Sequence, residues 1–142
     1  MAIENVQRLD HEVFDRLLCL MEQSSSLLDV IRLYASGDHV SNRGEVSGTA
    51  VRTSLRLVEK LLAEAKELIE HLKNNPGMEI PECFGSGIDQ ALCVSMMIRE
   101  SFITSPSSND EVYEATLKEQ VTHDAIWSLQ EHVRQLNEAI AS

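Results

Sequence analysis

The spacing of apolar residues along the chain predicts helices. Between residues 9 and 35, apolar side chains recur three and four positions apart, which is the period of one helix face. They are Val13, Leu17, Leu20, Leu27, Ile31 and Tyr34, with Ser24 standing where the pattern requires an apolar residue. Gly37 follows and is well suited to end a helix. We therefore predict a first amphipathic helix over 9–35.

The second segment carries the most regular pattern. From residue 49 to 74, apolar residues alternate strictly by four and three positions, up to the helix-breaking stretch Asn-Asn-Pro-Gly. They are Val51, Leu55, Val58, Leu62, Ala65, Ile69 and Leu72. Ser47 or Thr49 is expected to cap this second helix, and the polar residues before it are expected to form a surface loop.

A third helix is predicted over 88–103. The stretch before it, 75–87, contains two prolines and three glycines, which is typical of irregular backbone. Ser86, between Gly85 and Gly87, is expected to N-cap the helix. Because the segment is apolar nearly all round, it is expected to lie in the centre of a bundle or in an interface.

The last segment predicts a fourth helix over 109–140. Ser108 with Glu111 three residues later matches a capping box, which marks a helix start. One apolar face then runs almost to the C-terminus through Val112, Leu117, Val121, Ala125, Leu129, Val133, Leu136 and Ile140. No alternating strand pattern is found anywhere in the chain.

These segments predict an all-α fold, an antiparallel bundle of four principal helices in a single domain over 1–142. A chain of 142 residues can bury one core without metals or disulfides. Aromatic residues make up only 4% of it, so the core must consist of aliphatic side chains that helices carry easily.

Charge and composition exclude several classes of partner. The 12 Lys and Arg residues against 23 Asp and Glu give a net charge of −11, which repels nucleic acid and anionic membranes. No apolar stretch is long enough to span a membrane, and the N-terminus resembles no secretion signal. The cysteines Cys19, Cys83 and Cys93 have no Cys-x-x-Cys spacing and stand among apolar residues, so we expect reduced, buried thiols in a cytoplasmic protein.

Motifs that carry chemistry are weak. The Gly-Ser-Gly turn at 85–87 lacks the spacing of a phosphate loop or a nucleophile elbow. None of the five histidines has a glutamate three positions before it, as di-metal bundles require. We therefore expect no enzyme and no cofactor. The alternative is a metal-binding or enzymatic bundle that uses His71, His123 and His132 with nearby glutamates.

The leading hypothesis is a protein that binds other proteins. The apolar stripes are wider than the core of a lone bundle needs, so we expect them to be covered by a homodimer or by a different protein. The protein would then act as an adapter, inhibitor or chaperone-like regulator through an apolar helix face. The candidate partner-binding residues are Met96, Met97 and Trp127, together with Arg43 in the loop after the first helix.

Overall fold

The computed structural model of the chain confirms an all-α bundle of four helices. They are α1 (Ala2–Ala35), α2 (Gly48–Lys73), α3 (Glu82–Glu100) and α4 (Glu119–Ala141). The structure describes residues 2–35, 48–74, 80–104 and 113–141. Side chains are described for these residues except 2–10, 34–35, 104, 113–115 and 119. Gly37, Arg43, Ser47, Ser108 and Glu111, which the sequence analysis singled out, lie outside the described residues.

Each helix packs against two neighbours, so the four helices form the corners of a square. α1 contacts α2 and α4, and α3 contacts the same two helices from the opposite corner. Glu59 and Lys66 of α2 pair with Arg99 and Asp89 of α3 in reverse order along the chain. Asp29 and Arg32 of α1 contact Gln130 and Trp127 of α4, again in reverse order. The end of α3 lies beside the start of α4, because the backbone nitrogen of Thr116 donates to the carbonyl oxygen of Ser101. Neighbouring helices therefore run antiparallel, with α1 and α3 pointing one way and α2 and α4 the other.

The core follows the apolar repeat that the sequence predicts for α2. All seven residues of that repeat are buried, from Val51 to Leu72. In α1, Ser24 occupies a fully buried position in the apolar row, and its Oγ donates a hydrogen bond to the carbonyl oxygen of Leu20 at 2.8 Å. The hydroxyl is thus satisfied within its own helix. Each fully buried leucine of this core contributes about 1.5–3 kcal/mol to stability.

The third helix begins earlier than the sequence predicts. Pro81 precedes the first helical residue, Glu82, whose negative charge suits the positive end of the helix dipole. Ser86 therefore lies inside the helix and does not cap it, because its Oγ donates to the carbonyl oxygen of Cys83 at 3.0 Å. Gly87 is buried, and a Cβ there would overlap the side chain of Leu136 on α4. Glycine is present because α3 and α4 approach closely, not because the backbone is irregular.

Of the two positions predicted for α3, the centre of the bundle is wrong, and burial in an interface stays a prediction. Its buried residues, from Phe84 to Ile98, form one face. Leu92 is half-buried, and the other apolar residues of α3 outside that face, including Met96 and Met97, are exposed because α3 packs against only two of the other helices, α2 and α4.

Two short strands precede α4 where the sequence predicts helix. β1 (Phe102–Thr104) pairs antiparallel with β2 (Tyr113–Ala115), with Phe102 opposite Ala115. The side chain and backbone nitrogen of Thr116 both donate to the carbonyl oxygen of Ser101, which closes the hairpin at the helix ends. The aromatic and β-branched residues of these stretches favour strand over helix.

The start of α4 consequently differs from the predicted apolar face. Leu117 precedes the helix, and both Leu117 and Val121 are exposed. The core instead takes Thr122 and Ile126, which lie about 100° further round the helix than Val121 and Ala125. From Leu129 onward the predicted face is buried.

Two further expectations concern thiols and membranes. Cys19, Cys83 and Cys93 are all exposed, so the expectation of buried thiols is wrong. A cysteine that has apolar neighbours in the sequence can still lie on the exposed face of a helix. Cys93, for example, lies about 200° round α3 from buried Ala91. Within the described residues, no helix has the length and apolarity needed to cross a bilayer.

Candidate functional site

The exposed large apolar side chains are confined to one half of the bundle. Among the described side chains there are ten, namely Val30, Leu33, Leu57, Val94, Met96, Met97, Ile103, Leu117, Val121 and Trp127. All belong to the later halves of α1 and α3, to the earlier halves of α2 and α4, or to the segment between α3 and α4. Because neighbouring helices run antiparallel, these four half-helices lie together. We call this region the apolar half.

The other half presents charged residues instead. The outer side of α2 there carries Glu64, Glu67 and Glu70, and that of α4 carries Glu131 and Glu138. None of the described side chains of that half is a large exposed hydrophobic. Among the described side chains, exposed large apolar residues are therefore found at one end of the bundle and exposed acidic residues at the other.

Trp127 is the largest side chain in the apolar half, and it is held by two neighbours. The guanidinium of Arg32 on α1 lies 5.8 Å from the centroid of its ring, within range of a cation–π interaction. The ring of His123, one turn earlier on α4, lies 6.3 Å away, tilted by 49°. Trp127 is nevertheless 48% exposed, so an ordered aromatic face is open to a partner.

Polar contacts fix Arg32 beneath the ring. Its Nη2 donates to Asp29 Oδ1 at 3.2 Å, and the same oxygen accepts from Gln130 Nε2 of α4 at 2.9 Å. Arg32 also adds a smaller electrostatic effect on Glu131, where hydrogen bonds from Arg134 are the main cause of a lowered pKa. Trp127 and its supports thus bridge α1 and α4.

Met96 lies on the flank of α3 that faces α2. In the same row, spaced by three and four residues, are Asp89 and Arg99, and both bond α2. Asp89 pairs with Lys66, and Arg99 donates to Glu59 Oε2 at 2.8 Å. Met96 is 47% exposed, so it lines the outer edge of the contact between α2 and α3.

Met97 lies on the other flank of α3, which faces α4. Val94 and Met97 continue the row that contains Gly87, and Gly87 contacts α4 through the 2.8 Å hydrogen bond between its carbonyl oxygen and His132 Nε2. Val121 belongs to the α4 row that contains His132. Val94, Met97 and Val121 therefore line the groove between α3 and α4, and Met97, at 73%, is the most exposed of them.

The outer side of α1 completes the apolar half. An open depression there is lined by Cys19, Glu22, Gln23, Ser26, Leu27 and Val30. Leu57 of α2 is 47% exposed on the flank that carries Glu64, the partner of Arg16 on α1. Apolar residues thus surround this half of the bundle and do not form one stripe.

The structure does not bring the sequence-predicted partner-binding residues into a single groove. Met96 borders α2, Met97 borders α4, and Trp127 lies about 140° round α4 from His132, on the side of α1. Val30 and Leu57 also belong to the apolar half, although they are not among the partner-binding candidates named from the sequence. Only the direction of each helix shows that these residues share one end.

The three histidines of the alternative hypothesis lie apart. His71 is exposed in the last turn of α2, His123 contacts Trp127 and Asp124, and His132 bonds Gly87. In the part of the chain that the structure describes, no three His, Cys, Asp or Glu side chains are grouped to hold a metal ion. Within the described residues, His71, His123 and His132 therefore do not share one site.

Comparison with known proteins identifies no family for the chain. The chain matches no protein-family model, no curated protein and no solved structure.

Proposed function

We propose that the protein is a non-enzymatic interaction protein that binds another protein through the apolar half of its bundle. The observation that carries this proposal is the confinement of all ten exposed large hydrophobics, among the described residues, to that half. Single exposed apolar residues are normal when they are scattered, but a concentration of them marks an interaction surface. Covering them gains about 25 cal/mol for each Å² of apolar area removed from water.

Trp127 and Met97 are the expected anchors. Tryptophan is enriched among residues that dominate binding energy, and methionine adapts its shape to a partner. Because Arg32 and His123 already hold the Trp127 ring, its burial costs less conformational entropy than burial of an unrestrained side chain. Met97, at 73% exposed, has the most apolar surface to gain from contact.

A homodimer is one form that this binding takes in our proposal. Two copies related by a two-fold axis would place Val94, Met97 and Val121 of one chain against the same groove of the other. Light scattering at micromolar concentration should then return about twice the 15.9 kDa chain mass. A chain that binds only a different protein would remain at 15.9 kDa and still expose its apolar half.

The test compares apolar-half variants with a matched variant from the other half. Trp127→Asp and Met97→Asp should each reduce the fluorescence of bound Nile red, a neutral dye of apolar surfaces, and weaken any self-association. Gln135→Asp, which places the same charge at an exposed α4 position of the other half, should change neither. Circular dichroism melts of all three should stay near wild type. A wild-type monomer that binds no dye would contradict the proposal.

A further inference from the structure

We propose that the groove between α2 and α3 binds an acidic amphipathic helix of a partner protein. The groove is formed by Arg56 and Ala63 of α2 with Leu92 and Met96 of α3, above the ion pair of Glu59 and Arg99, and Lys60 lies beside Arg56 on the outer side of α2. This inference rests on the proposed function and adds the chemistry of the partner.

The position of the groove follows from two rows of side chains. On α2, Glu59 and Lys66 bond Arg99 and Asp89 of α3, so their row faces that helix. Arg56 and Ala63 lie in the same row, spaced by three and four residues. Met96 lies in the corresponding row of α3, between Asp89 and Arg99. The two rows form the walls of one groove.

The centre of the groove is apolar and open. Met96 is 47% exposed there, and Leu92 is half-buried below it and packs on the core. Ala63 is exposed and small, so a third helix can approach without a bulky side chain in its way. The side-chain ridge of another helix can pack into a groove between two helices. In the sequence of the docking helix, this ridge consists of apolar residues at positions i, i+3, i+4 and i+7.

The charge at the edge of the groove is what selects an acidic partner. Arg56 and Lys60 are exposed, and neither makes an ion pair or hydrogen bond with any described residue. In a chain with 23 acidic residues and a net charge of −11, two such cations beside an apolar groove are a local reversal of sign. Carboxylates that flank the apolar face of a docked helix would complement them.

Other occupants fit these features less well. Nucleic acid carries one negative charge for about every 1.7 Å of duplex, so most of its phosphates would face the acidic surface and not the two cations. A second copy of the chain would bring a further net charge of −11. A short helix needs only a few carboxylates, placed where Arg56 and Lys60 can reach them.

The experiment uses two labelled peptides of about 18 residues with the same leucine stripe, one flanked by glutamate and the other by lysine. The net charge of the protein favours the lysine peptide, whereas the groove favours the glutamate peptide. Fluorescence anisotropy should show that wild-type protein binds the glutamate peptide about tenfold more tightly or better. The double variant Arg56→Glu, Lys60→Glu should bind the lysine peptide more tightly than the glutamate peptide. Met96→Asp should lower the affinity for the glutamate peptide.

The other possible results overturn either the inference or the proposed function on which it rests. Tighter binding of the lysine peptide, or unchanged glutamate-peptide affinity in the Arg56→Glu, Lys60→Glu variant, would show that the groove does not select acidic helices. Competition by a single-stranded DNA probe would show that the cations serve nucleic acid. If the wild-type protein were a monomer that bound no Nile red, the proposed function itself would be refuted. If light scattering at the same concentration gave Met96→Asp half the mass of the wild-type protein, the occupant of the groove would be a second copy of the chain.

Discussion

Arg99 of α3 donates its Nε hydrogen to Glu59 Oε2 of α2 at 2.8 Å, and the two side chains are only 11% and 15% exposed. The hydrogen bond to Glu59 is the main cause of the raised pKa of Arg99, against which burial acts. The two charges lie in a largely desolvated contact and stabilise each other. Removing one of them leaves the other with an uncompensated desolvation cost.

Glu59→Gln should therefore lower the free energy of unfolding by about 2 kcal/mol, as judged by urea denaturation. Glu100→Gln is the matched control, because Glu100 also bonds Arg99 but is 64% exposed. It should cost less than about 0.5 kcal/mol. Equal effects of the two substitutions would show that the buried geometry adds nothing to the pair.

Ser95→Ala is expected to stabilise the protein. The Ser95 hydroxyl is fully buried in α3 and has no hydrogen-bond partner among the described residues, so it carries an uncompensated desolvation cost of about 1 kcal/mol or more. Ser24→Ala is the control, because the equally buried Ser24 hydroxyl donates to Leu20. Both changes improve helix propensity alike, so the difference between the two unfolding free energies reports the missing hydrogen bond. No excess gain at Ser95 would indicate a bound water.

The degree to which the fold was predictable varies between helices for a physical reason. α2 was predicted residue by residue because its buried face repeats without interruption and breakers flank it. The start of α3 was predicted six residues late, at 88 in place of Glu82, because glycine suggests irregular backbone. The role of Gly87 depends on Leu136 of α4, and such a long-range contact has no local signal.

The candidate surface was predictable only in part. Trp127 was predicted from the sequence as a partner-binding residue, but its contact with Arg32 joins two helices that are distant in the chain, and no local pattern indicates it. Helical phase says which residues share a face, and it does not say which face a neighbour covers. Val121 was assigned to the core for that reason, and it is 48% exposed.

The pKa of Glu131 should depend on Arg134. Hydrogen bonds from Arg134 lower the pKa of this carboxyl, so the ionised form is favoured in the folded protein. The stabilisation is present above the pKa of Glu131 in the unfolded chain, and it is lost as the pH falls through the lower folded value. An NMR titration should give Glu131 a midpoint below that of an ordinary glutamate. Arg134→Gln should raise it, and an unchanged midpoint would exclude the hydrogen bonds as the cause.

Charge substitution should separate the two faces of α2. Leu62 is fully buried at the middle of the apolar repeat, whereas Leu57 on the same helix is 47% exposed. Leu62→Asp should abolish cooperative folding, because an unpaired buried carboxylate costs several kcal/mol, about the net stability of a small domain. Leu57→Asp should retain a cooperative melt near that of wild type. Similar melting curves for both variants, measured by circular dichroism, would contradict the assignment of Leu62 to a buried face and Leu57 to an exposed one.

Gly87 and Leu136 should be energetically coupled across α3 and α4. Alanine favours helix by up to about 1 kcal/mol over glycine, yet Gly87→Ala should destabilise the protein by about 1–3 kcal/mol because its Cβ overlaps the Leu136 side chain. Gly85→Ala is the control: the nearest atom to its Cβ would be Lys73 Nζ at 3.5 Å, an ordinary contact. That change should stabilise the helix instead.

The double variant decides whether the clash is the cause. Leu136→Ala alone should cost about 2–5 kcal/mol through the cavity it leaves. If the new methyl group of Gly87→Ala occupies part of that space, the double variant should be at least about 1 kcal/mol more stable than the sum of the single effects predicts. Strict additivity in urea denaturation would place the cost of Gly87→Ala elsewhere, with the hydrogen bond from His132 to the Gly87 carbonyl oxygen as the next contact to test.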